Sequence, residues 1–251
     1  LTLKSYQQSA LDALATYARA ARLKGPAAAF AEHAGRAYNA DAFGPEVPCV
    51  CLRIPTGGGK TVLAAHAVPL LAAEWRGTDA PVAVWLVPSD TIRTQTLKAL
   101  QTSGHPYREA LEAVYGLGLR VCSLDDVAQV PAPQWGRQAV VIVVATIQSF
   151  RIDDAGQRNV YSFTEAFEPH FKYALAQGLG AEGGRDLAYL HALPDAVVTP
   201  EDVAQDPTGI LAGFVGQPRW SLANWLALHR PIVIVDEAHN TKTDKSFTAL
   251  Q

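Results

Sequence analysis

The chain has 251 residues, enough for one large domain or two small ones, with 49% hydrophobic and 18% charged residues. This composition is typical of folded globular proteins and excludes an intrinsically disordered chain. The net charge of −3 gives no bulk support to nucleic-acid binding, so any such binding must depend on a local patch.

Cysteine content and hydropathy limit the location of the protein. We expect Cys49, Cys51 and Cys122 to be buried thiols, because they form neither a disulfide framework nor a zinc-ligand pattern. No stretch approaches the roughly 20 apolar residues of a membrane span. The N-terminus lacks the basic segment followed by an apolar segment that is typical of a secretion signal. The expected location is the cytoplasm, with no membrane partner. The absence of methionine, including at position 1, suggests that the chain begins inside a longer gene product.

The first 45 residues predict a helical segment. Apolar residues recur at helical spacing from Tyr6 to Ala21, and Ser5 with Gln8 forms a capping-box pattern. A Gly-Pro pair ends this helix, and an alanine-rich second helix is predicted from about Ala27 to Tyr38.

Five short apolar runs then alternate with helical stretches. The runs are VPCVCLRI (47–54), VAVWLVP (82–88), LRVC (119–122), AVVIVVA (139–145) and PIVIVD (231–236). Strands that are apolar on both faces are typical of a parallel sheet covered by helices on each side. The predicted fold class is therefore doubly wound α/β. Helices are predicted over 62–75, where Pro69 should kink the helix or end it early, and over 89–100.

Residues 151–229 interrupt this rhythm. The 87 residues from Ser149 to Val235 far exceed a single crossover, so an insertion is predicted. It should be mostly helical, with one helix capped by Thr199 and another over 221–229. The α/β domain itself would comprise 46–150 and 230–251.

The sequence IPTGGGKT (54–61) follows the first apolar run. Glycines between a strand and a helix let backbone N–H groups approach a phosphate, and the helix N-terminus favours the same anion. Lys60 would reach the β- and γ-phosphates of a nucleotide, and the Thr61 hydroxyl would bind magnesium. The nucleotide-binding residues predicted here are Thr56, Gly57, Gly58, Gly59, Lys60 and Thr61. The alternative is a flexible turn with a solvated lysine, and Ile54 stands where the usual pattern has glycine.

The sequence IVIVDEAHN ends the last apolar run with two acids. Asp236 could bind magnesium, and Glu237 could orient and deprotonate the water that attacks the γ-phosphate. The alternative is a strand that ends in solvated carboxylates. Both motifs should meet at the carboxyl edge of one sheet.

Together these motifs resemble a superfamily 2 helicase of the DEAD/DEAH-box kind. PTGGGKT is similar to its motif I and DEAH to its motif II, and the closer resemblance is to the helicase (Res) subunit of type III restriction enzymes and related phage-defence translocases. It covers residues 1 to about 150 and 230 to 251. It implies a RecA-like first ATPase domain that hydrolyses ATP with Mg²⁺.

The resemblance also implies roles for single residues. Gln7 would read adenine, although it could equally be a surface residue. His239 would take part in catalysis by linking the nucleotide state to the rest of the motor, or would be a structural hydrogen-bond partner. Motif III and an arginine-bearing second lobe are expected beyond Gln251, and an arginine finger contributes roughly 10³ to 10⁵ in rate. The isolated chain is therefore expected to hydrolyse ATP slowly.

Motifs Ia and Ib of the family hold the backbone of one nucleic-acid strand. The matching residues here are Pro88, Ser89, Arg93, Thr146 and Gln148. The alternatives are polar capping of strand ends for Thr146 and Gln148, and an exposed helical charge for Arg93.

Three functions follow from these observations. The leading hypothesis is the first motor domain of an ATP-dependent DNA helicase or translocase. The second is a P-loop ATPase that acts as a nucleotide-dependent switch or assembly factor without a nucleic-acid substrate. The third is that residues 151–229 dock a partner such as a methyltransferase subunit.

Overall fold

The protein is described by a computed structural model, which covers residues 2–40, 44–150, 160–177, 186–193 and 195–236. Its centre is a four-stranded parallel sheet in the order β2-β3-β1-β4. The strands are β1 (Val82–Val87), β2 (Leu119–Ser123), β3 (Val140–Thr146) and β4 (Ile232–Val235). The α/β class and four of the five predicted strands are confirmed.

Eight α-helices surround this sheet in the described residues. They are α1 (Ser5–Lys24), α2 (Pro26–Ala34), α3 (Lys60–Leu71), α4 (Asp90–Gln101), α5 (Pro106–Tyr115), α6 (Glu168–Gln177), α7 (Pro200–Gln205) and α8 (Leu222–His229).

The two central strands are buried on both faces, and their side chains alternate between two cores. In β1, Val84 and Leu86 face one core, while Trp85 faces the other. Because successive strand residues point to opposite faces, a continuous apolar run is needed where both faces are covered. Helices on both faces of the sheet are confirmed.

The first core lies under α3, α4 and α5. Its fully buried members include Val68 of α3, Leu100 of α4 and Leu111 of α5. α3 ends at Leu71, soon after Pro69, and a π-helical turn at Ala72–Arg76 continues it. The regular α-helix thus ends early, as expected from Pro69, but the helical path continues in π form to Arg76.

The second core is built largely by residues 151–229. Phe171 of α6 and Trp225 of α8 are fully buried there, against Trp135 of the loop that precedes β3. The N-cap expected for α7 is confirmed, since Thr199 accepts a hydrogen bond from the Asp202 N–H. α8 is capped in the same way, because Ser221 accepts from the Asn224 N–H. The described part of residues 151–229 thus completes one face of the sheet.

The N-terminal helices agree with the sequence in outline but not at the cap. Gln7, not Gln8, completes the helix start, because its Oε1 accepts the Lys4 N–H at 2.9 Å. Gln8 instead donates to Asp12 one turn later. The capping box assigned to Ser5 and Gln8 is therefore wrong by one position. α2 ends at Ala34, earlier than Tyr38, where Gly35 adopts φ 63°.

The strand predicted over 47–54 is wrong. Residues 48–55 are outside regular structure, and the Cys49 N–H bonds the Tyr38 hydroxyl at 2.8 Å instead of a neighbouring strand. Cys49 and Cys51 are consequently exposed, contrary to expectation, while Cys122 is buried on β2 as expected. Burial raises the pKa of the Cys122 thiol to about 12. Among the described helices, none combines the length and apolar character that a membrane crossing requires.

Candidate functional site

The glycine-rich loop lies between Pro55 and the first turn of α3. Gly57 and Gly59 have φ of 74° and 79°, the left-handed region that glycine adopts without a Cβ clash. The Gly58 N–H closes the turn by donating to Pro55 O at 2.9 Å. The first helical hydrogen bond runs from Leu63 N–H to Gly59 O, so the amides of residues 60–62 precede it. These amides lie at the positive end of the helix dipole.

Gly58 is enclosed by neighbouring atoms. A Cβ at this position would lie 2.6 Å from Ile54 Cγ2 and 2.9 Å from Pro55 O. Its carbonyl accepts two hydrogen bonds from α1, from the Tyr6 hydroxyl and from Gln7 Nε2, each at 2.9 Å. The loop conformation therefore depends on contacts with α1 as well as on its own glycines.

The two sequence motifs meet at Thr61 and Asp236. The Thr61 hydroxyl donates to Asp236 Oδ2 at 3.1 Å, and both residues are half-buried. Asp236 directly follows β4, where its N–H bonds Leu86 O of β1 at 2.9 Å. The acid is thus fixed by the sheet, and the hydroxyl is fixed by the first turn of α3. Oxygen ligands of this kind suit Mg²⁺, which is usually bound through one or two carboxylates and keeps several waters.

The other predicted site residues divide into two groups. Lys60 begins α3 and is half-buried beside the loop, and Thr56 is exposed at the loop entrance. Glu237 and His239, assigned to catalysis by the sequence, lie outside the described residues. No cluster of three or more histidine, cysteine, aspartate or glutamate side chains converges in the part of the chain that the structure describes.

Gln7 is placed beside the loop rather than on the open surface. Its side chain is only 7% exposed, and both ends of its amide are bonded within the chain, to Lys4 N–H and to Gly58 O. The adenine contact assigned to Gln7 stays a prediction. The structure adds a contact between Gln7 and the loop that sequence reasoning did not anticipate.

Tyr6 makes a contact with the loop that sequence reasoning missed. Helical periodicity assigns it to the apolar face of α1, but it is 41% exposed and its hydroxyl bonds Gly58 O. A signal existed, because a tyrosine at the first turn of a helix can present its hydroxyl beyond the helix end. Helical periodicity counts tyrosine as an apolar residue and therefore does not predict a hydrogen bond from its hydroxyl.

The residues predicted to contact nucleic acid cluster at the carboxyl ends of β1 and β3, which are paired through Val87 and Thr146. Gln148 Nε2 donates to Pro88 O at 3.2 Å and joins the two strand ends. Thr146 shares a hydrogen bond with Ser149, Ser89 caps α4, and Arg93 pairs with Asp90 at 2.8 Å. All five residues are bonded within the chain, four of them through side chains and Pro88 through its carbonyl.

Comparison with known proteins identifies a family. The family model for the type III restriction enzyme res subunit matches residues 1–175, which includes the loop, α1 and the first three strands. No curated protein and no solved structure matched the chain in the same comparisons.

Proposed function

The chain belongs to the family of type III restriction enzyme res subunits, and on that premise we propose that it is the first motor domain of an ATP-dependent DNA helicase or translocase acting in restriction or phage defence. The single observation that supports this best is the hydrogen bond between Thr61 and Asp236. This bond joins the loop proposed to bind phosphate and the acid proposed to bind magnesium, which lie 175 positions apart in the chain.

The residues present fit a nucleotide and its metal. Glycines 57 and 59 have the backbone conformation that turns successive N–H groups toward one anion. The α3 N-terminus and Lys60 add positive potential at the same place. Bound Mg²⁺ would neutralise charge on the β- and γ-phosphates. Thr61 and Asp236 would hold that ion, and Glu237 would orient the attacking water.

Replacing Lys60 tests the nucleotide site. Lys60→Ala should weaken ATP binding roughly tenfold to a hundredfold, because hydrogen bonds to charged groups contribute about 1.5–3 kcal/mol. Lys98→Ala, which removes an exposed lysine from α4, is the matched control and should bind like the unaltered protein. Isothermal titration with ATP and Mg²⁺ measures both, and equal affinities for the two variants would contradict a phosphate role for Lys60.

A second candidate is a nucleotide-dependent switch that does not use nucleic acid. It is favoured by the net charge of −3 and by the pairing of Arg93 with Asp90. The two candidates differ in their response to DNA. ATPase activity of the full-length protein is measured with single- and double-stranded DNA at low and moderate salt.

Stimulation that weakens with salt supports the motor, since backbone contacts release counterions. Gln148→Ala should then reduce stimulation without changing ATP affinity. Absence of stimulation by any DNA would favour the switch.

A further inference from the structure

We propose that Tyr6, together with Gln7, is a positioning residue that sets the phosphate loop by holding the carbonyl of Gly58. This inference rests on the proposed nucleotide site, which it deepens. It assigns the two adjacent side chains at the start of α1 to the loop backbone, not to the nucleotide base.

The Gly58 carbonyl is held by two donors from α1. A carbonyl oxygen has two lone pairs, and the Tyr6 hydroxyl and Gln7 Nε2 both donate to this one at 2.9 Å. Two donors from consecutive residues fix the direction of the carbonyl. The Gly58 N–H is also engaged, with Pro55 O.

The peptide bond between Gly58 and Gly59 is planar and trans. The carbonyl of Gly58 and the N–H of Gly59 belong to one peptide unit and point in opposite directions. Holding the carbonyl toward α1 therefore turns the Gly59 N–H away from α1. That amide begins the series of N–H groups that continues into the first turn of α3, so its direction decides whether the series faces one anion.

Gln7 is itself held in place. Its Oε1 accepts the Lys4 N–H at 2.9 Å, so rotation of the amide would break bonds at both ends. A Cβ at Gly59 would lie 2.5 Å from Gln7 Nε2. The glycine at 59 thus allows the close approach of this side chain as well as the left-handed backbone.

α1 packs along the helix that follows the loop. Leu11 and Leu14 pack with Leu63 and Ala67 of α3. Beyond the end of α3, Arg19 makes two hydrogen bonds to Glu74, at 2.8 and 2.7 Å. These contacts extend from residue 63 to residue 74, about 16 Å along the helix at 1.5 Å per residue. They couple the first turn of α1 to the loop.

The test uses ligands with and without a base. Affinities for ATP, GTP and inorganic tripolyphosphate are measured by calorimetry with Mg²⁺ for the unaltered protein, Tyr6→Phe and Gln7→Ala. Tyr6→Phe should weaken all three by the same factor, about threefold to tenfold, as expected for one neutral hydrogen bond. Gln7→Ala should also weaken all three in parallel. Tyr161→Phe, which removes a phenol–carbonyl bond to Phe150, and Gln8→Ala should bind all three ligands unchanged.

Unfolding midpoints without ligand are measured for every variant, so that loss of fold is recognised. Tripolyphosphate affinity that is unchanged in a folded Tyr6→Phe would overturn the positioning role of Tyr6. Gln7→Ala that weakens ATP but not tripolyphosphate would assign Gln7 to the base instead. If the unaltered protein binds none of the ligands, the proposed nucleotide site fails with it. If Lys60→Ala loses affinity and Tyr6→Phe does not, only the present inference fails.

Discussion

At the scale of single residues, the three glycines of the loop have different physical requirements. Gly57 needs a positive φ, but a Cβ added there would meet no atom within 4 Å. Gly58 needs space, because Ile54 and Pro55 O surround it. Gly59 needs both, with φ 79° and Gln7 Nε2 nearby. Three consecutive glycines are therefore required for three different physical reasons.

These constraints predict unequal effects of alanine. Gly57→Ala introduces only backbone strain in the loop, about 1–2 kcal/mol. Gly59→Ala introduces that strain and a clash with Gln7, so it should weaken ATP binding more than Gly57→Ala does. Gly104→Ala, at φ 79° in open space far from the loop in sequence, controls for strain alone and should leave ATP affinity unchanged. Titration calorimetry ranks the variants, and equal ATP affinities for Gly57→Ala and Gly59→Ala would contradict the clash.

The residue scale also marks a limit of sequence reasoning. The loop glycines and Lys60 could be identified from spacing, because phosphate contact imposes a fixed local pattern. The choice between Gln7 and Gln8 could not, since both suit a helix start. It depends on whether Gly58 O is within reach, and that is a contact across 51 positions of the chain.

At the scale of elements, continuous apolar runs were sufficient for β1 to β4 but not for 47–54. A run becomes a strand only where a neighbouring strand supplies hydrogen bonds, and local pattern carries no information on that neighbour. In the described residues, the segment bonds Tyr38 through Cys49 instead. The two exposed cysteines follow from this difference.

The helices of residues 151–229 are part of the core, and this limits how a role for the segment can be tested. Trp225 of α8 is fully buried against Trp135 and Phe171. Deleting the segment would expose one face of the sheet. A partner-docking role is therefore better tested by changing exposed residues such as Leu175, which is 72% exposed on α6.

Trp225→Ala should lower the free energy of unfolding by about 3–5 kcal/mol, the usual cost of removing a large buried aromatic side chain. Leu175→Ala should change it by less than about 0.5 kcal/mol, as is usual at the surface. Urea denaturation measures both. A Trp225→Ala protein as stable as the unaltered one would mean that α8 does not support the sheet.

At the scale of the whole molecule, the second core contains a pair of buried histidines. His229 lies between Trp135 and Trp225, with ring centroids 5.7 and 4.7 Å away. Burial, with smaller effects of His170 and Arg137, lowers the pKa of His229 from 6.5 to about 3. Burial also lowers the pKa of His170. Both side chains are therefore neutral in the folded protein near neutral pH.

Stability should consequently fall in mild acid. Below pH 6.5 the unfolded chain binds a proton that folded His229 takes up only near pH 3, so the free energy of unfolding decreases as the pH falls through this window. Between pH 7 and 5 this histidine accounts for about 2 kcal/mol. His229→Leu should remove that part of the loss, whereas His33→Leu, an exposed site on α2, should keep it. Urea denaturation at pH 7 and pH 5 measures the free energy of unfolding of each protein. Identical pH dependence in the unaltered protein, His229→Leu and His33→Leu would refute the low pKa of His229.

The pairing of Thr61 with Asp236 also has a consequence for synthesis on the ribosome. Translation adds about 5–20 residues per second, so roughly 9 to 35 s separate the emergence of the two partners. From the emergence of β1 until that of β4, the edge of β1 that β4 later covers has no partner strand. Such an uncovered edge is a site for aggregation or chaperone binding. The two motifs therefore cannot meet until the last strand of the sheet has been synthesised.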